Sequence, residues 1–172
     1  MASSLAALSS LAGGYSRGAD PLRAYFSEQA LIRYRTRIEL EWLQAPAAER
    51  AVKELKGFSP KTLSAFTGLL KNFSEQDAQQ IKNIEAETNH DVKAIEYWLK
   101  SKLAKNAEAQ KALEFIHFAC TSEDINNLSY ALMVAESREK VMLPKLDEIV
   151  VALKNLARKH AALPMLSRTH GQ

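Results

Sequence analysis

The 172-residue sequence predicts an all-α fold. Three observations carry this. Apolar residues recur at helical spacing in one segment after another. Helix-start signatures stand at the heads of those segments: Ser27, Ser59-Pro60, Ser74-Glu75-Gln76-Asp77 and Thr121-Ser122-Glu123-Asp124. No β-rich run and no internal repeat appears.

The elements follow in order. Residues 1–19 read as an irregular arm, broken by Gly13-Gly14 and Gly18. Asp20-Pro21 starts a short turn, since proline suits the first helical position. Ser27 caps a firmer helix, with Leu31, Tyr34, Ile38 and Trp42 at helical spacing. Arg33, Arg35, Arg37, Glu39 and Glu41 are expected to form its polar face, and Pro46 to end it. Ala47 to Lys56 is expected to form another helix, closed by Gly57. Ser59-Pro60 starts the next, with Leu63, Phe66 and Leu70 on one side. Ser74 to Asp77 resembles a capping box, and Ile81 and Ile84 continue that helix's apolar side. A helix is expected from Asp91 to about Leu103, with Val92, Ile95, Leu99 and Leu103 as its inner stripe. Ala107 to Phe118 reads as a further helical stretch leading into the polar turn at 121–124. From Asp124 to His160 the pattern is helical almost throughout, with Pro144 as the interruption. A helix of that length reaches roughly 50 Å, more than a small domain needs, so partners beyond this chain are expected.

Composition narrows the function classes. Hydrophobic residues make up 47% and charged residues 25%, an ordinary globular balance. The net charge of +3 comes without a long basic run or basic–aromatic interleaving, which argues against nucleic acid and suits an anionic small molecule equally well. Cys120 is the only cysteine, so no internal disulfide forms. No apolar run approaches the ~20 residues that span a membrane. The first nineteen residues hold no acid and many Ser and Ala, faintly like a transit peptide, but only Arg17 is basic. No targeting segment is expected and a cytoplasmic location is, with a plastid leader as the minor alternative.

The stretch around which the chain is organised is Phe115-Ile116-His117-Phe118-Ala119-Cys120-Thr121-Ser122-Glu123-Asp124-Ile125-Asn126-Asn127. It resembles the first signature region of the adenylosuccinate lyases, a family of the fumarase/aspartase superfamily. Thr88-Asn89-His90-Asp91-Val92-Lys93-Ala94 is similar to a second block of that family, and Ser167-Arg168-Thr169-His170-Gly171-Gln172 to a third, in matching order and separation. Phe26-Ser27-Glu28 and Glu39-Leu40-Glu41-Trp42-Leu43 look like the family's amino-terminal helices. The resemblance runs from about Leu8 to the last residue and covers less than half of a family member. It implies an amino-terminal helical domain over 1–120 and the start of a central helical bundle over 121–172, usually assembled as a homotetramer. It implies β-elimination of fumarate from adenylosuccinate to give AMP, and from the succinylated carboxamide ribotide (SAICAR) to give AICAR, with no cofactor.

Each candidate residue has a plain reading beside the functional one. His170 alone reads as a loop histidine; the resemblance makes it the general acid that protonates the departing nitrogen. His90, between Asn89 and Asp91, reads as part of a helix-capping cluster. The resemblance makes all three substrate contacts, with His90 supporting the catalytic histidine; as a carboxylate beside the ring, Asp91 is also expected to fix the His90 tautomer. His117 reads equally as a core histidine and as a pocket residue. Thr121 and Ser122 start a helix, and by resemblance hold substrate through hydroxyls and N–H groups. Tyr15 matches a nucleotide contact, although Gly14 stands where the family carries arginine. His160 reads as a solvated or end-capping residue. The histidine spacing is not that of a helical metal motif, and no metal is expected.

The family's serine-bearing loop, which supplies the base, has no counterpart here. The chain is therefore expected to be inactive by itself. The rival expectations are a catalytically dead helical subunit that binds ligand or associates with longer chains, and another lyase of the superfamily such as argininosuccinate lyase.

Overall fold

The computed structural model describes residues 7–49, 52–166 and 170. The described residues form helices and turns with no β-strand, as the helical periodicity predicts. The chain divides into two compact units, Met1–Ala135 and Glu136–Gln172.

The first unit opens with short pieces: helix α1, Ser16–Ala19, a 3-10 turn over Asp20–Leu22, and helix α2, Arg23–Phe26. Helix α3, Glu28–Ala48, begins where Ser27 Oγ accepts from Ala30 N–H at 3.1 Å. Helix α4, Pro60–Lys71, starts at Ser59 with proline in its first turn. Helix α5, Glu75–Thr88, carries the capping box in full: Ser74 and Asp77 each accept from the other's backbone N–H. Asn89 then turns the chain in a left-handed conformation, and His90 caps helix α6, Asp91–Leu103.

Helix α6 lies at the centre of the main core. Val92, Ile95, Leu99 and Leu103 are all buried, as their spacing predicts. Trp98 joins them, with its Nε1 donating to Gln80 of α5. Large side chains buried this fully contribute about 1.5–3 kcal/mol each. Around α6 pack α3, α5 and helix α7, Ala107–Gln110. A smaller cluster of Ile38, Val92 and Ile125 joins α3 and α6 to helix α8, Ser122–Ser137.

Four expectations are corrected. Arg35 and Glu39 do not face solvent: Arg35 is 6% exposed and Glu39 0%. Helix α3 is covered on two sides, and each buried group meets a partner: Arg35 the Asp91 carboxylate, and Glu39 the His117 ring. Pro46 does not end α3 at once but sits in its last turn; having no N–H for the carbonyl four residues back, it weakens that turn, and the helix stops two residues later at Ala48. Among the described residues of 47–56 only the end of α3 is helical; turns follow, and Leu55 is buried. The stretch from Ala107 to Phe118 is not one helix. It breaks into α7, a 3-10 turn over Leu113–Phe115 and a turn with left-handed His117.

Helix α8 starts at Ser122, within the Thr121–Asp124 start signature, two residues before the long helical pattern counted from Asp124. A π-turn over Arg138–Met142 then precedes helix α9, Leu143–Lys159. Pro144 explains it. Proline has no N–H for the carbonyl four residues back. The backbone widens instead, and Leu143 N–H bonds the Arg138 carbonyl, five residues back. In the second unit Leu146, Ile149, Leu153 and Leu156 are all more than half exposed. His160 is exposed and caps the carboxyl end of α9, as expected.

Candidate active site

The Asn89-His90-Asp91 block sits in the tight connection between α5 and α6. Asn89 has φ 51°, a conformation that asparagine tolerates better than most residues. His90 is half exposed, and its Nδ1 accepts from Lys93 N–H at 3.2 Å. That bond leaves the proton of the neutral ring on Nε2, which faces away from the cap. Asp91 was expected to fix this tautomer. Its Oδ1 lies 3.8 Å from His90 Nδ1 but accepts instead from Val92 N–H at 2.8 Å. The helix cap, not the carboxylate, sets the ring. Asn89, His90 and Asp91 line an open cleft of about 510 Å³ together with Lys82, Glu85 and Ala86.

The other Asp91 oxygen meets Arg35 of α3 at 2.8 Å. The same guanidinium donates through Nε to Asn126 Oδ1 at 2.8 Å, and Asn126 Nδ2 donates to Glu123 at 2.8 Å. One buried arginine thus ties the Asn89–Asp91 block to the first turns of α8. Burial pushes the Asp91 carboxyl up. The Val92 N–H and the Arg35 guanidinium outweigh it and hold the group below the usual carboxylate range. The planar fork of arginine allows two partners at fixed angles.

Thr121 caps α8 as its sequence predicts. Thr121 N–H and Oγ1 donate to Asp124 Oδ2 at 2.7 and 3.0 Å, and Asp124 N–H returns to Oγ1 at 3.4 Å. These bonds hold the Asp124 carboxyl low. Ser122 occupies the first turn and is half-buried.

Between these blocks lies the turn at 116–120. His117 and Ala119 both have left-handed backbones, with φ 61° and 56°. Trp42 of α3 donates through Nε1 to the Phe118 carbonyl at 2.7 Å, fixing the turn between them. His117 Nδ1 lies 2.6 Å from Glu39 Oε1. Burial pushes the Glu39 carboxyl up by more than His117 pulls it down. Cys120 Sγ is 3.6 Å from His117 Nδ1. Burial, helped by the Glu39, Asp124 and Glu96 carboxylates, pushes its thiol up to about 11, so it is no nucleophile near neutral pH.

Tyr15 stands before α1, exposed and without a capping bond. His170 lies in the second unit, exposed, with φ 48°. The other residues of its block, Ser167, Arg168, Thr169, Gly171 and Gln172, lie outside the described residues. Sequence reasoning missed Arg35 and Glu39 as parts of this arrangement. A signal existed: both fall beside the Leu31–Tyr34–Ile38–Trp42 stripe at helical spacing, where a charge needs a partner. Among the described residues no group of three or more His, Cys, Asp or Glu side chains could hold a metal.

Comparison with known proteins completes the description. A family model described as Lyase matches residues 13–172. The chain is 48% identical over 170 residues to adenylosuccinate lyase of Haemophilus influenzae and, equally, of Escherichia coli K12, with 99% of this chain and 37% of the relative covered in each case. It is 44% identical over 168 residues to adenylosuccinate lyase of Legionella pneumophila, again over 37% of the relative. The chain therefore spans a little over a third of the length of these relatives.

Proposed function

We propose that this chain, which belongs to the lyase family, supplies the substrate-holding and proton-donating part of an adenylosuccinate lyase active site. The reaction is β-elimination of fumarate from adenylosuccinate to leave AMP, and the matching elimination from SAICAR to leave AICAR. The observation that carries the reading is the Arg35 bridge, because it links two sequence blocks that resemble parts of one substrate site. In this reading His90, Asn89 and Asp91 contact substrate from the α5–α6 connection. Thr121 and Ser122 hold an anionic group at the start of α8, where the helix dipole favours it, with the ligand displacing Asp124 from the Thr121 N–H and hydroxyl. His117 lines the pocket and Tyr15 contacts the nucleotide. His170 protonates the departing nitrogen. Homotetramer assembly and a cytoplasmic location belong to the same proposal.

The 172 residues by themselves are expected to be inactive, since they correspond to 37% of the relatives that resemble them. A chimera tests the reading. This chain replaces the matching segment of the Escherichia coli relative, and fumarate release from adenylosuccinate is followed. Turnover on the order of ~10 per second, a typical enzymatic rate, is expected. A folded, assembled chimera without turnover would contradict it and favour a dead helical subunit.

A further inference from the structure

We propose that Glu39 positions His117, holding the imidazole by Nδ1 so that Nε2 is presented to an anionic oxygen of the ligand. This rests on the reading above that His117 lines the substrate site.

Four observations converge. Glu39 Oε1 is 2.6 Å from His117 Nδ1, the separation of a strong charge-assisted bond. Glu39 is 0% exposed, and its Oε2 has no hydrogen-bond partner among the described residues. A buried carboxylate costs several kcal/mol unless well paired, and a hydrophobe of similar size would usually serve the core as well or better. Stability alone therefore gives little reason for this residue here. The turn that brings His117 to Glu39 is also costly. Left-handed backbone at non-glycine residues costs roughly 1–2 kcal/mol each, and His117 and Ala119 both adopt it. Such strain collects where geometry serves a site. Finally, the turn is fixed from the same helix, since Trp42 holds the Phe118 carbonyl one turn from Glu39.

The chemistry follows from the ring. With Nδ1–H donating to the carboxylate, Nε2 is the atom left for a ligand, and His117 is 20% exposed. When the ring carries a second proton, Glu39 compensates its charge and Nε2–H donates to a carboxylate or phosphate oxygen. Glu39 itself touches no ligand. It acts through His117, by orientation and charge.

Two measurements test this. Nitrogen NMR of the imidazole in the 172-residue chain reports which ring nitrogen carries hydrogen. Wild type should show His117 protonated at Nδ1, and Glu39→Gln should change that state. In an active chimera, Glu39→Gln should raise KM for adenylosuccinate about 10- to 100-fold, the scale for losing a hydrogen bond to a charged group. The effect on kcat should be smaller, and Glu39→Asp should recover part of the loss. His117→Gln should raise KM comparably. A wild-type ring unprotonated at Nδ1 would overturn the proposal, and so would an unchanged KM in a folded Glu39→Gln chimera. An inactive parent chimera would sink the lyase reading instead, while the NMR result would still decide the dyad.

Discussion

Replacing Arg35 with Met removes a side chain that joins Asp91 to Asn126, and the structure sets the size of the effect. Asn126 is 8% exposed, so its Oδ1 loses a donor where water cannot easily replace it. An orphaned buried acceptor costs about 1–3 kcal/mol. Asp91 is 43% exposed at its side chain and regains water, so its share falls to that of a surface pair, about 0–1 kcal/mol. The sum centres on about 2–3 kcal/mol, because methionine keeps much of the arginine's bulk and leaves little cavity. For a chain of this length that lowers Tm by about 5–10 °C. Arg35→Lys should lose less, about 1–2 kcal/mol, because one ammonium can serve Asp91 or Asn126 but not both in the same geometry. Urea unfolding followed by circular dichroism measures both variants. If Arg35→Met lay within about 0.5 kcal/mol of wild type, the bridge would not be holding the two blocks together.

Further expectations concern individual groups. Cys120, with its thiol raised from 9.0 to about 11, should react with iodoacetamide at neutral pH roughly 100-fold more slowly than an ordinary free cysteine, and at the ordinary rate once unfolded. Equal rates before and after unfolding would contradict this. In Glu96, burial raises the carboxyl, but Lys93 at 2.7 Å and Lys100 at 3.1 Å outweigh it and lower the group from 4.5. Its contribution is therefore fully present above that value and is lost as pH falls through the lower folded value. Acid titration should show a shallower loss of stability in Glu96→Gln than in wild type; parallel curves would refute the assignment. Ala119→Gly should relieve the left-handed backbone and, after the entropy glycine costs in the unfolded chain, stabilise by up to about 1 kcal/mol. A clear loss in urea unfolding would mean that the alanine side chain is needed there.

Much of this was legible in the sequence for identifiable reasons. Ser27, Ser59, Ser74 and Thr121 cap helices because capping depends on a few neighbouring residues. The stripe Val92–Ile95–Leu99–Leu103 is buried because periodicity reports which face meets a core. What could not be read depends on distant partners. Arg35 and Glu39 look like solvent-facing charges until Asp91, Asn126 and His117 are brought beside them. The break at 111–120 also escaped, because its left-handed residues are His117 and Ala119 rather than glycine. Pro144 marks an interruption, but whether the helix kinks or widens there depends on the backbone of the preceding turn. Asp91 was correctly placed beside His90, yet its role in setting the ring went to the backbone of Lys93.

We propose His170 as the proton donor of a lyase site. This assignment is tested most directly by the kcat of the chimera with His170→Gln, compared with the same chimera carrying His160→Gln. Glutamine keeps hydrogen-bonding capacity but cannot donate a proton as an acid. General acid catalysis contributes a factor of ~100 to 10,000, and a loss of that order is predicted for His170→Gln, with little change for His160→Gln. A near-normal kcat in His170→Gln would contradict the account.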